Sequence, residues 1–267
     1  MGVRVERRTY AWLVVFLLAY LSYALPLIPQ GSDDIRMAAV FSIDEADILW
    51  QIDHLYKNGV GNLPSFTYGG GLYYSVTLLL KVWSVLGAVT GNTVILALRG
   101  FCMIAGIGCL WLTFKLGCLV FDRTTGLYGT FLLLSFPEFL RWAVDGHPDL
   151  PQLFWMLAVL VCCVRLIQGF SWKWITLAAV FAGIAFGTKY GGIFLLPVIG
   201  MSVLLPRGGV ELSLSGGLKK LRERRYLKAV VLIPIVFLGV FVLINPFSII
   251  RFDVFMKTMV DYKEVMG

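Results

Sequence analysis

The sequence predicts an all-α polytopic membrane protein. Three observations predict it. Of 267 residues, 58% are hydrophobic and only 15% are charged. Mean hydropathy is +0.81. The apolar residues are gathered into long runs broken by short polar segments. A soluble domain carries about 25% charged residues, so an ordinary soluble enzyme is excluded, and so is a disordered chain. At ~20 residues per spanning helix, the chain holds about six to eight membrane segments and no large soluble domain. The net charge of +7 does not point to nucleic acid, because so apolar a chain has no polar face to offer. Its basic residues are topology signals. The five cysteines, Cys102, Cys109, Cys118, Cys162 and Cys163, all lie in apolar runs without CxxC spacing. They read as small packing residues and suggest neither a disulfide framework nor a zinc site.

The elements follow in order. Arg4, Arg7 and Arg8 precede an apolar run over 10–28, too long for a signal peptide and without an A-x-A site; it is an uncleaved first span. Residues 30–70 are polar and rich in Asp. The next run, 71–89, is interrupted by Lys81. Further runs cover 93–119, 127–144, 150–167, 174–187, 191–205 and 229–250.

Charge fixes the orientation. If the N-terminus is cytoplasmic and 71–89 lies in the outer interface, the cytoplasmic segments hold 14 of 23 basic residues and 4 of 16 acids. That leaves about +10 inside and −3 outside, as the positive-inside rule requires. If 71–89 crossed instead, the basic cluster Lys219–Lys228 would face outward. The expectation is therefore seven crossings plus interfacial helices, in a single domain over 1–267. Residues 30–92 form the outer loop and 206–228 a basic cytoplasmic loop. The runs 174–187 and 191–205 are short for a ~30 Å hydrocarbon core. They meet at Thr188-Lys189-Tyr190, which implies a water-filled cavity entering from the outer side.

Three places carry chemistry-bearing residues. In the outer loop, Ser42-Ile43-Asp44-Glu45 has the S-x-x-E capping-box pattern and predicts a helix start. On that helix Asp44, Asp47, Gln51, His54 and Asn58 fall on one stripe, with Ile48, Leu49, Ile52 and Leu55 elsewhere. An amphipathic helix on the membrane surface results; a simply solvated polar face is the plainer reading. A second short loop contains Asp145, His147 and Asp149. Asp149 is placed to N-cap the following helix, with Pro151 in its first turn. Two carboxylate loops on one side could also share a divalent cation, or supply a general base. Lys189 is the third place. Its ammonium suits a phosphate, or snorkels to the interface; Arg99 is a second candidate of the same kind. His54 and His147 are too few for a metal site.

These features, with Gly69-Gly70-Gly71-Leu72-Tyr73-Tyr74, Ala97-Leu98-Arg99, His147-Pro148-Asp149 and Gly183 through Tyr190, resemble in their order the membrane-embedded GT-C glycosyltransferases. The nearest branch is the protein-mannosyltransferase and aminoarabinose-transferase type. The resemblance runs from about residue 10 to 260. It implies that Asp44 and Glu45 form the acidic pair of an active site on the outer face. It implies that Asp149, with Asp145 beside it, is the second acidic loop, and that Lys189 lies close to the donor phosphate. Where that class has Pro-Pro before its interfacial helix, this chain has Gly70-Gly71, so a looser loop is expected. That class also continues beyond a point matching Asn245-Pro246-Phe247, so this chain is expected to be a truncated membrane module, a natural short form or one part of a split enzyme.

The expected function is transfer of a sugar from a polyprenyl-phosphate donor to a lipid, glycan or protein acceptor on the outer side of a bacterial or archaeal cell membrane, with inversion. Asp44 is the expected base. Glu45 positions it, or ligates Mg, Mn or Zn together with Asp149. Lys189, Tyr190, Asp145, Arg99 and His54 are the expected substrate contacts. A transporter, a lipid-binding subunit or an inactive scaffold is the alternative. A transporter should show internal repeats and acids within its spans, and the acids here cluster in outer loops.

Overall fold

The computed structural model describes residues 2–33, 42–59, 61, 63–205 and 222–266. Residues 34–41 of the outer loop and 206–221 of the expected basic loop lie outside them. Among the described residues all regular structure is helical: α1 (Gly2–Leu27), α2 (Ile43–Asn58), α3 (Gly70–Trp83), α4 (Gly91–Val120), α5 (Arg123–Leu134), α6 (Pro137–Trp142), α7 (Asp149–Gln168), α8 (Trp172–Thr188), a 3-10 turn (Tyr190–Phe194), α9 (Leu195–Leu204), α10 (Arg224–Ile244), α11 (Pro246–Ile250) and α12 (Phe252–Met266).

Among the described residues, four helices are long and apolar enough to cross a membrane: Thr9–Leu27 of α1, α4, α7 and α10. Two further apolar helices, Trp172–Thr188 and Tyr190–Leu204, are shorter, as the sequence indicates. Large apolar side chains such as Leu18, Ile104, Leu132, Ile235 and Leu243 are exposed, the exterior that hydrocarbon requires and water would penalise. The chain is an integral membrane protein.

Side-chain contacts show how the helices alternate. Tyr10 meets Phe114 and Tyr20 donates to the Met103 carbonyl, so α1 and α4 run antiparallel. Gly117 abuts Gly126, and Thr130 donates to Leu110, which brings α5 back along α4. Gln168 donates to the Leu119 carbonyl and Tyr226 packs on Phe170, so α4, α7 and α10 share one end. At the other end lie Asp44, His147, Lys189 and Asn245. Counting α5–α6 and the 3-10 turn with α9 as single passages, the described chain passes between the two ends seven times. Helices α2 and α3 stay at the second end.

One expected span is broken. The run 127–144 divides into α5 and α6 because Pro137 cannot donate to a continuing helix and holds Phe136 extended (ψ 115°). Helix α2 buries Ile48, Leu49, Ile52 and Leu55 completely against α3 and α4, with Glu45 buried beside them and Asp44 exposed. The glycines before α3 do not loosen the loop. A methyl at Gly69 or Gly71 would run into the Gly187 carbonyl. Gly69 also donates to the Thr188 carbonyl at 3.2 Å. Buried Asn245 accepts from the Gly70 amide and donates to the Gly187 carbonyl. Three elements therefore meet at backbone contact immediately before Lys189, a closeness that larger residues would prevent.

Candidate active site

The site begins at the N-terminus of α2. Ser42 is the N-cap and its Oγ accepts from the Glu45 amide at 3.3 Å, so half of the expected capping box forms. The other half does not, because the Glu45 carboxylate is used elsewhere. Asp44 and Glu45 are adjacent and point about 100° apart. Glu45 turns into the core and Asp44 toward solvent.

Glu45 is wholly buried and bonded by both oxygens to Arg99, at 2.6 Å from Nε and 2.9 Å from Nη2. The third Arg99 nitrogen donates to the Ile28 and Gln30 carbonyls at 2.9 and 2.7 Å. Arg99 is thus committed to tying the end of α1 to α2, and is not placed to receive a substrate phosphate. Burial pushes the Glu45 carboxyl up while Arg99 opposes that shift; a bidentate guanidinium keeps the pair ionic.

Asp44 leads to a row of alternating charges. Its Oδ2 lies 3.0 Å from His147 Nε2. His147 Nδ1 lies 2.5 Å from Asp149 Oδ2. Both Asp149 oxygens lie 2.8 Å from Lys189 Nζ. The loop turns through Gly146 at φ +64°, where a methyl would strike Leu98 and the Glu45 carboxylate. His147 is then held by the Trp142 ring stacked on it and by Cys102 Sγ donating to its carbonyl. The imidazole pKa is raised above 6.5: burial works to lower it, and the hydrogen bonds to Asp149 and Asp44 together outweigh burial. Facing two carboxylates, the ring can donate to both only when it is protonated.

Asp149 opens α7 behind Pro148 and makes no cap hydrogen bond; its carboxylate is drawn to Lys189 instead. Lys189 breaks the helical path after Thr188 with an extended backbone (φ −150°, ψ 134°). Gln152 donates to its carbonyl at 2.9 Å, and its ammonium also lies over the Tyr68 ring at 5.7 Å. The side chain retains 32% exposure, so it is open to an anion.

The other expected contacts lie outside this row. Asp145 is paired with Arg141 at 2.9 Å. Tyr190 donates to the Phe66 and Tyr68 carbonyls, which holds the loop under Lys189. His54 sits on the Trp50 ring, farther along α2. The carboxylates expected to share a cation, Glu45 and Asp149, are instead neutralised separately by Arg99 and Lys189, an arrangement that does not suit a divalent ion. No group of three His, Cys, Asp or Glu among the described residues could hold a metal ion. His147 is the residue sequence reasoning passed over. The sequence places it in the His147-Pro148-Asp149 motif without giving it a role, although a histidine two residues from an aspartate across a proline is the available signal.

A helical membrane bundle thus carries an Asp44–His147–Asp149–Lys189 row at one end. Residues 78–218 match the dolichyl-phosphate-mannose-protein mannosyltransferase family. That is just over half the chain, and it belongs to this family of GT-C membrane glycosyltransferases. The matched segment contains Arg99, His147, Asp149 and Lys189 and begins after Asp44. No curated protein and no solved structure matches the chain.

Proposed function

We propose that the protein transfers a glycosyl group from a polyprenyl-phosphate donor to a hydroxyl of a lipid, glycan or protein acceptor at the membrane's outer face. The observation that carries this reading is the row from Asp44 to Lys189. Its two ends offer opposite chemistry: a carboxylate that is 51% exposed at one end and an ammonium open to an anion at the other. Asp44 Oδ2 is taken by His147, and its other oxygen has no partner among the described residues.

In the reaction the acceptor oxygen bonds to the anomeric carbon and the bond from that carbon to the lipid-phosphate oxygen breaks. The acceptor proton passes to Asp44, and the electron pair leaves on the phosphate. Lys189 faces that developing charge, where a fixed cation stabilises the transition state more than the ground state. Attack from the Asp44 side with departure toward Lys189 inverts the anomeric centre. His147 fixes the base carboxylate and links it to the carboxylate that positions Lys189. A phosphate leaves without a general acid, so one base and one cation suffice.

A groove of about 430 Å³ between α3 and the α10–α11 junction supports a lipid donor. It is lined by Tyr74, Leu78, Leu243, Ile244 and Phe247, and by Gly71, which packs against Gly187. A polyprenyl tail lying there leads its phosphate toward Lys189. The test uses the purified protein in nanodiscs with radiolabelled polyprenyl-phosphate mannose and membrane acceptors. Label moves to the acceptor with the wild type and not with Asp44→Asn of unchanged melting temperature. Near wild-type turnover by Asp44→Asn would remove Asp44 as the base.

A further inference from the structure

The polar stripe of α2 does not end at Asp44. One turn on, Asp47 is half-buried. Burial raises the pKa of its carboxyl. Its one described contact is Gln51 Nε2 at 3.5 Å. It has no cationic partner among the described residues, unlike Asp44, Glu45, Asp53, Asp145 and Asp149. A carboxylate withdrawn from water without a counter-charge is costly unless something polar meets it.

Its surroundings are polar and ordered. Gln51 is wholly buried. Its Nε2 donates to Ser65 Oγ at 2.9 Å and its Oε1 accepts from the Ser65 amide at 3.4 Å. Ser65 Oγ and Thr67 Oγ1 are 2.7 Å apart. On the α3 side the Tyr73 hydroxyl is wholly buried and has no hydrogen-bond partner of ordinary geometry. Burial raises its pKa first and the Asp47 charge second. The half-buried Asp47 carboxylate and the Ser65 and Thr67 hydroxyls, linked to it through Gln51, put acceptors and donors at one place on the outer end of the bundle. They are what a ligand rich in hydroxyls would satisfy.

The position suits a sugar. Asp47 follows Asp44 by three residues, about 4.5 Å of helix rise, the order of one pyranose ring. The loop bearing Ser65 and Thr67 continues to Tyr68, whose ring lies under Lys189. We propose that Asp47, with Gln51, Ser65 and Thr67 around it, is a subsite that reads the ring hydroxyls of a sugar bound beside Asp44. The proposal rests on the glycosyltransferase reading. The sugar is either the glycosyl group of the donor or a residue of a glycan acceptor; both present vicinal hydroxyls to the same carboxylate.

The experiment measures binding to the purified full chain in nanodiscs with three probes: bare polyprenyl phosphate, polyprenyl-phosphate mannose, and methyl mannoside in the presence of bare polyprenyl phosphate. The variants are Asp47→Asn, which keeps shape, and Ser65→Ala. If the sugar is the donor's, the wild type binds the mannosylated lipid at least tenfold tighter than the bare one, and Asp47→Asn loses that preference while holding the bare lipid as before. If it is the acceptor's, Asp47→Asn and Ser65→Ala weaken methyl mannoside at least tenfold and leave both lipids unchanged. Wild-type preferences retained in Asp47→Asn overturn the subsite alone. Equal weakening of all three probes, with a lowered melting temperature, makes the cluster a structural tie and also overturns it. Failure of the wild type to bind bare polyprenyl phosphate overturns the subsite together with the donor reading beneath it.

Discussion

Lys189 and Asp149 form a two-pronged ion pair, with the ammonium 2.8 Å from each carboxylate oxygen. The pair joins a break in one helical path to the first turn of another span, and is only partly shielded from solvent. Lys189→Ala removes the cation proposed for the leaving phosphate. The loss of one charge-assisted contact is expected to weaken donor binding and slow transfer by roughly 1.5–3 kcal/mol, or about ten- to 150-fold. Lys189→Arg should rescue partly, because a planar fork does not reproduce a compact ammonium. Donor affinity and single-turnover rates decide. Unchanged values for Lys189→Ala would remove the phosphate role.

Glu45 and Arg99 make a different kind of pair, fully buried and far from neutral if one member is lost. Glu45→Gln or Arg99→Met should lower stability by about 3–5 kcal/mol, because an uncompensated charge remains in the core. Glu45→Gln with Arg99→Met together should recover part of that loss. Melting in detergent of the two single variants and the double variant checks this. Additive single effects would mean that the two side chains act independently.

How far the sequence spoke can be judged from these residues. The apolar runs forecast the spans because hydrocarbon leaves a helix no alternative to satisfying its own backbone. Asp44, Asp149 and Lys189 stood out because charges at a membrane boundary are rare and costly. Their assembly into one row was not legible. It depends on His147, placed by the left-handed turn at Gly146, and on the approach of α2 to a loop 103 residues later. Glu45 and Arg99 looked like site residues by the same rule of costly charge. They pair with each other instead, and only tertiary contact distinguishes a buried tie from a binding group. The break at Pro137 is signalled in the sequence by Ser135, Glu138 and Arg141 around it, which interrupt the apolar run over 127–144.

The glycine contacts before Lys189 predict a position-dependent response. Gly69→Ala places a methyl against the Gly187 carbonyl and should cost about 1–3 kcal/mol. It should slow transfer as well, because Gly187 lies two residues before Lys189. Gly239→Ala meets nothing within 4 Å and should leave melting temperature and turnover unchanged. Equal effects at both positions would show that the close approach of α3 to α8 is not needed.

Orientation is tested independently of activity. Asn58 closes α2 at the end of the bundle that also carries the His147–Asp149 row, and Ser171 lies in the α7–α8 turn at the opposite end. In a background without the five native cysteines, Asn58→Cys should react from outside with a membrane-impermeant maleimide. Ser171→Cys should react only after permeabilisation, as the positive-inside count requires. Outside labelling of Ser171→Cys would invert the arrangement and move the proposed transfer site to the cytoplasmic face.

His147 sets the pH dependence of stability. Its folded pKa lies above the ordinary 6.5 because Asp149 and Asp44 favour the imidazolium against burial, while Lys189 acts in the opposite sense. A group whose pKa rises on folding holds protons that the unfolded chain releases. Its contribution is therefore complete below about pH 6.5. It declines as pH rises through the folded-state value, where a neutral ring can no longer donate to both carboxylates. In the wild type, melting temperature should fall over the interval that begins at about pH 6.5 and runs upward through the folded-state value. His147→Gln, which donates without titrating, should flatten that dependence and be less stable at pH 6. Transfer at pH 6 should also fall in His147→Gln, since a single carboxamide cannot donate to both Asp44 and Asp149 in the imidazole's geometry. A wild-type melting temperature that rises across this interval, or the same slope in His147→Gln, would show that the ring is not the imidazolium between the two carboxylates.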